Sequence, residues 1–583
     1  MSVIDETRSH TKTLSILTLA FFAAAIYLIS IYLAYTKFNN TRLIDPLAEV
    51  NSLFPLYYVA IGLTAALCVA CVFMRVNNKY LHMLLVWMLA MMLWFTPYYL
   101  AGFVRLPDGP WHVGVGLQIS EVMNGATVTF SEYAWSFPGS FFYHPVFLSV
   151  LGIEATGYIA LLFPFVWISL FVLLWYVVVA RLFDGRVAFL SLLIAIPGLH
   201  YIQSHPSPHT LAALLMLSAL LLALTRSSAA KILAIAMVVV IIVSHPTTPL
   251  LLAIFLAAAL VTNMVYFRRL GRTEVALGGI LLLCFVGWCL WMSYYHTVPT
   301  GAVIEGELVH GVAVPTSVGV SQQYLTETAF VFAGVYHLNR AIYYLYAILA
   351  LAGIAYLAAK TFIRERGVRN WVAKVGGIEP GQALMAMVVP PLIVLSMLLA
   401  ETAPCLLETG LTFAVLALSC VVASLIPFSE RYKRRTMGAI AAIVLIGLLF
   451  LTFSFPTVAY HIDAYSSFPE SEERGLMFVA SSVPLDKGML ATNSPAQLAL
   501  YLEHPLHETE LVPLHYQELP DLGTLLPHVY VFRSTGYYYA AMRYDLSFED
   551  NRYTEYSRVV DANEYDRVYS NPTFVVYSRP EGP

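Results

Sequence analysis

The amino-acid sequence predicts an all-α polytopic membrane protein of about 13 transmembrane helices, followed by a small C-terminal soluble α/β domain. Three observations lead there. Of 583 residues, 59% are apolar and 12% are charged, and the mean hydropathy is +0.71. That balance excludes an ordinary soluble enzyme. Apolar runs of about 20 residues, long enough to cross roughly 30 Å of hydrocarbon, recur along the first 457 residues. From residue 458 the composition changes to 18 acidic against 8 basic residues, a formal charge of −10.

The predicted spans lie near residues 14–36, 54–75, 80–103, 155–181, 186–203, 207–225, 229–244, 247–266, 274–295, 338–361, 382–402, 405–427 and 437–457. The run at 229–244, between Lys231 and His245-Pro246, is short enough to suggest a tilted or re-entrant segment. The first run is too long for a signal-peptide core, and no small-residue cleavage site follows it, so it reads as a retained span. Of the basic residues before 458, twenty fall on one side of the spans. Only Lys37, Arg42, Arg105 and Arg340 fall on the other. The positive-inside bias then predicts a plasma-membrane protein with a cytoplasmic N-terminus and an extracytoplasmic C-terminal domain. The small net charge of −4 gives no reason to expect a nucleic-acid partner. All six cysteines fall within or at the ends of spans, which implies no disulfide framework.

The division is a membrane domain at 1–457, with exported loops at 103–154 and 296–337, and an exported domain at 458–583. Two long loops on one face suggest a site built there. The first opens with LPDGPWH, and its stretch VGVGLQISEVMNG predicts a short helix lying in the membrane interface. In the terminal region, HVYVFRS reads as a strand, DRVYSNPTFVVYSR as a hairpin turning at Asn571-Pro572, and PESEERGLMFVASSV as a helix. It carries no nucleotide-binding or serine-elbow motif.

Polar chemistry gathers on the exported face. Nine of the sixteen histidines, His112, His144, His200, His205, His209, His245, His296, His310 and His337, map to exported loops or helix ends. They suggest either a polar, partly hydrated chamber or ordinary interfacial hydrogen bonding. Asp108, held between Pro107 and Gly109-Pro110 and four residues before His112, has two readings. It is a general base whose pKa or orientation His112 adjusts, or it caps the helix that follows. Glu408, about one turn inside its span, either lines the chamber or is solvated. Arg340 suits a lipid phosphate or snorkels to the headgroups. His205 and His209 have the i, i+4 spacing of a metal pair, but two prolines intervene and no H-E-x-x-H is present, so no metal site is assigned.

This layout resembles the GT-C membrane glycosyltransferases, a class that includes protein O-mannosyltransferases and oligosaccharyltransferases. The resemblance rests on an acid in the first long exported loop, here LPDGPWHVG, and on a second long exported loop six spans later. QSHPSPHT, EERGLMFVA and YDRVYSNPTFVVY are similar to archaeal-type members of the class. Two departures stand out: there is no W-W-D-Y-G signature, and Gly109 stands where a second acid would follow. The resemblance implies inverting transfer of a sugar from a polyprenyl- or dolichyl-phosphate-linked donor to a hydroxyl of a glycan, protein or lipid acceptor. It implies Asp108 as base, Arg340 on the phosphate, and His112, His144 or His205 lining the chamber, with a divalent metal ion left open. The other classes are a secondary transporter or lipid flippase, and a non-catalytic membrane assembly protein. The first would show inverted repeats and midplane charges, neither of which is found.

Overall fold

A computed structural model describes residues 3–41, 52–74, 76, 78–101, 109, 112–117, 137–199, 205–225, 227–245, 247–267, 272–295, 380–398, 404–425 and 434–459, and short stretches at 474–475, 478–479, 489–492, 510–513, 529–533, 566–571 and 574–578. The helices are α1 (Val3–Thr41), α2 (Pro55–Phe73), α3 (Lys79–Ala90), α4 (Pro138–Leu151), α5 (Phe163–Leu182), α6 (Gly185–Ala195) and α7 (Pro208–Ala223). They continue with α8 (Ser228–Ser244), α9 (Thr248–Phe267), α10 (Arg272–Tyr295), α11 (Pro380–Leu398), α12 (Pro404–Leu425) and α13 (Arg434–Ala459). Every predicted span coincides with described helix except that at 338–361, which lies outside the described residues. Among the described residues, five helical stretches are long and apolar enough to cross a membrane: Thr11–Lys37, Pro55–Phe73, Lys79–Leu100, Tyr158–Leu182 and Thr248–Val265.

Local chemistry sets the starts. Asn78 caps α3 by accepting from the backbone N–H groups of Tyr80 and Leu81. Asp184 caps α6 in the same way through Arg186 and Val187. Ser207 and Thr210 form a reciprocal capping box at α7, where Pro208 occupies a first-turn position whose N–H would be unpaired anyway. The short run predicted as tilted or re-entrant is α8, a continuous helix packed between α7 and α10.

Two spans carry a feature that periodicity does not show. The helix of α3 runs through a π-helical turn at Met91–Phe95 into Thr96–Ala101. A second π turn, Tyr158–Leu162, leads into α5. A π turn widens the backbone and disturbs the ordinary carbonyl pairing. Here the Met92 carbonyl accepts from Tyr57 Oη at 2.8 Å and Thr96 Oγ1 at 2.6 Å.

The core runs along the bundle through Trp94, Trp167, Phe171, Trp175, Phe189 and Phe413. Trp167 Nε1 donates to the Thr210 carbonyl at 2.8 Å, which ties α5 to the start of α7. Residues 112–117 are helical, as the amphipathic pattern predicts, but Val113 and Val115 are fully buried. The described part of that segment is packed against its neighbours on both sides of the pattern. Gly116 permits that packing: a Cβ there would stand 2.5 Å from the Phe141 carbonyl oxygen and 3.2 Å from Pro145 Cδ.

Toward the C-terminus, β1 (Met489–Thr492), β2 (Glu510–Pro513), β3 (Val529–Arg533), β4 (Asp566–Asn571) and β5 (Phe574–Ser578) form one sheet in the order β2-β1-β3-β5-β4. β1 is parallel to β2 and β3, and β5 is antiparallel to β3 and β4, with a register shift between Arg567 and Tyr569. The HVYVFRS strand and the hairpin at Asn571 are thus present. The helix expected at 469–483 is described only at 474–475 and 478–479.

The Gly116 contact makes a packing prediction. Gly116→Ala should lower the thermal unfolding midpoint of the detergent-solubilised protein by several degrees, from an overpacking cost of about 1–3 kcal/mol. Gly278→Ala, where an added Cβ meets nothing within 4 Å, should leave it level or raise it slightly. Equal midpoints for the two variants would refute the close packing of 112–117 on α4.

Candidate functional site

Four segments separated in sequence bring histidines together at one end of the bundle. The first is 112–117, carrying His112. The second is α4, carrying His144. The third is the approach to α7, carrying His205 and His209. The fourth is the α8–α9 junction, carrying His245. The ring centroids of His205 and His209 are 5.7 Å apart, and those of His209 and His245 are 6.1 Å apart. His112 tilts against Phe141 at 5.7 Å, and its charge would be felt at both His144 and His245. His112, His144, His205 and His245 are buried, while His209 is half-buried.

Hydroxyl groups hold the rings. His144 Nδ1 lies 3.1 Å from Tyr158 Oη, the first residue of the second π turn. His144 Nε2 is buried without a hydrogen-bond partner among the described residues, an arrangement that costs free energy wherever it occurs. Ser207 Oγ is 3.0 Å from His209 Nδ1. Thr248 Oγ1 and Thr247 Oγ1 stand 2.9 and 3.1 Å from His245 Nδ1. Burial, reinforced by the charge of His112, pushes the His144 pKa down to about 3. Burial likewise holds His245 well below the usual histidine range, with His209 and His112 adding to it. These imidazoles are neutral near pH 7 and can donate and accept hydrogen bonds without carrying charge.

The structure brings His112, His144, His205 and His209 together. Asp108 and Arg340 lie outside the described residues. Gly109, which follows Asp108, is buried against the cluster: a Cβ there would stand 3.1 Å from Ile159 Cγ2, 3.5 Å from Pro206 Cδ and 3.9 Å from His205 Cβ. Glu408 falls early in α12, and its side chain lies outside the described residues. Among the described residues no three His, Cys, Asp or Glu groups are placed to hold a metal ion.

Sequence reasoning missed Tyr158, Thr247 and Thr248, and it counted His245 among the exported-face histidines without giving it a role of its own. A signal was available. Ser-His-Pro-Ser at 204–207 recurs as Ser-His-Pro-Thr at 244–247, and each places a hydroxyl residue beside a histidine.

The buried, neutral histidines set a pH dependence. An unfolded histidine binds a proton near pH 6.5, whereas folded His144 does so only near 3. Acid therefore favours the unfolded chain. The stability contribution is intact above about pH 7 and is lost as pH falls from 6.5 towards 3, by at most about 1.4 kcal/mol per pH unit for each such group. The thermal midpoint in detergent should fall between pH 7 and 5, and His144→Asn should flatten that slope. A wild-type midpoint independent of pH over this range would contradict the buried neutral state.

No protein-family model matches the sequence, and no curated protein matches it. Solved structures do. ArnT from Cupriavidus metallidurans bound to undecaprenyl phosphate is 13% identical and superimposes with a TM-score of 0.50 over 85% of this chain and 97% of its own. The archaeal oligosaccharyltransferase AglB from Archaeoglobus fulgidus, in complex with an inhibitory peptide and a dolichol-phosphate, is 11% identical, with a TM-score of 0.45 over 90% of this chain and 74% of its own. With its long apolar helices and its likeness to ArnT over nearly the whole of that protein, this multi-pass membrane chain has the GT-C fold.

Proposed function

We propose that the chain is an integral-membrane glycosyltransferase that moves a sugar from a polyprenyl- or dolichyl-phosphate-linked donor to an acceptor hydroxyl on the exported face. The observation that carries this reading is the buried histidine and hydroxyl cluster, against which Gly109, the residue after Asp108, is packed. The ArnT likeness supports it, since that protein is seen bound to undecaprenyl phosphate. On the charge bias, the cluster faces the extracytoplasmic side of the plasma membrane.

In the proposed reaction the Asp108 carboxylate takes the proton of the acceptor hydroxyl, and the acceptor oxygen attacks the anomeric carbon. The bond from that carbon to the phosphate oxygen breaks with inversion, and the lipid phosphate leaves with the electron pair, already ionised and in little need of a general acid. Arg340 binds the departing phosphate through its planar guanidinium. His112 adjusts the base, and His144, His205, His209 and Glu408 line the substrate chamber. A divalent metal ion on the donor phosphate is compatible with this scheme and no step depends on it. The acceptor is a glycan, a protein or a lipid.

Asp108→Asn keeps the shape of the side chain and removes its basicity. In a purified system supplied with lipid-phosphate sugar and membrane acceptors, it should lower transfer by about 10²–10⁴-fold while leaving donor binding within a few-fold. Near-normal transfer by this variant would remove Asp108 from the mechanism. Movement of the lipid across vesicles without loss of its sugar would favour a flippase instead.

A further inference from the structure

Between α9 and α10 the bundle leaves an open groove of about 390 Å³. Its walls run from Pro249 to Leu260 on α9 and from Glu274 to Phe285 on α10. At 1.5 Å per helical residue each wall is about 16 Å long, close to half of the roughly 30 Å of hydrocarbon in a bilayer. The groove is one leaflet deep. Thr248–Val265 is long and apolar enough to cross a membrane, and the rim residues Leu250, Val275 and Leu282 are exposed, so the groove opens toward lipid chains. On the α10 side Gly278 and Gly279 carry no side chain, and a Cβ at either meets nothing within 4 Å. Glycine costs a helix interior about 1 kcal/mol relative to alanine, and no described neighbour requires it here.

The two ends of the groove differ. Glu274 is the one charged group among the described residues of the lining, and it stands at the end nearest the connection from α9 to α10. Asn263 Nδ2 donates to its Oε1 at 2.9 Å, which fixes the half-buried carboxylate between the two helices. A carboxylate accepts about four hydrogen bonds, so this one leaves it further capacity. The end at Pro249 and Phe285 is apolar. An occupant with a polar head and a long chain therefore sets its head at Glu274 and its chain along the glycines. The carboxylate attracts a cationic head and repels an anionic one, most strongly where water is scarce. Arg268 and Arg269 follow α9 in the sequence, so on the charge bias this end meets the cytoplasmic leaflet, across the bilayer from the histidine cluster.

We propose that the α9–α10 groove holds a phospholipid of the cytoplasmic leaflet whose headgroup carries a primary ammonium, as phosphatidylethanolamine does. Glu274 receives the ammonium, and one hydrocarbon chain lies over Gly278 and Gly279. A primary ammonium donates a charge-assisted hydrogen bond to a carboxylate, which a trimethylated one cannot do. The site is separate from the donor of the reaction proposed above, and it stands whether or not that reaction does.

The purified full chain in detergent can be titrated with phosphatidylethanolamine, phosphatidylcholine and phosphatidylglycerol of one chain composition, with bound lipid counted by native mass spectrometry. At the tightest site phosphatidylethanolamine should bind about tenfold better than either of the others. Glu274→Gln should bring it level with phosphatidylcholine and leave phosphatidylcholine itself unchanged. Gly279→Leu fills the groove, should weaken the tightest site about tenfold for phosphatidylethanolamine with the thermal midpoint kept or raised, and serves if the first variant fails to fold. A preference for phosphatidylethanolamine that survives both variants, or tightest binding of phosphatidylglycerol, overturns the proposal. So does displacement of bound phosphatidylethanolamine by an equal concentration of undecaprenyl phosphate, which would give the groove to a polyprenyl tail.

Discussion

A polar group inside a membrane-embedded bundle must find its partner within the protein, because neither water nor hydrocarbon supplies one there. Much of the polar architecture answers that constraint with uncharged pairs. Tyr57 and Thr96 satisfy Met92 at the first π turn, and Tyr27 Oη meets Thr96 Oγ1 at 2.9 Å. Trp87 Nε1 donates to Ser169 Oγ, and Trp94 Nε1 to the Ile196 carbonyl at the end of α6. At the histidine cluster the same solution appears in concentrated form, with hydroxyls set against imidazoles and no charge needed to balance either.

The π turns show how this constraint shapes the site. Each interrupts a helix beside the first long loop, one before it at Met91–Phe95 and one after it at Tyr158–Leu162. The second begins with Tyr158, whose hydroxyl meets His144, and includes Ile159, against which Gly109 is packed. A regular α-helix through these residues would advance the side chains by a different angle and alter both contacts. The irregular turn and the placement of His144 and Gly109 are thus parts of one arrangement.

Hydropathy made the spans legible, because a 20-residue apolar run has few other fates. The π turns were not legible, since they change hydrogen-bond pairing without changing the apolar pattern; Met91, Leu93 and Trp94 suit either helix. Histidines at alternate loop positions revealed a common face, and His205 and His209 could be singled out by spacing. Their true partners could not, because pairing them with Ser207 and His245 depends on how α7, α8 and α9 pack. The amphipathic pattern after His112 marks a helix without naming the neighbours that cover it, for a related reason. Val113 and Val115 would read the same whatever covers them, and Gly116 hints at the neighbouring backbone of α4.

The neutrality of the cluster also limits what it can be asked to do. A lipid phosphodiester is an anion at every physiological pH, and stabilising its departure calls for a cation or an array of fixed donors. Neutral histidines whose ring nitrogens are already shared with Tyr158, Ser207, Thr247 and Thr248 are poorly suited to that work. A sugar ring makes the opposite demand, since its hydroxyls are best matched by groups that can reverse the direction of a hydrogen bond. A donor that joins the two therefore needs a site with two electrostatic characters, and in the proposed function the second falls to Arg340, whose guanidinium would meet the phosphate.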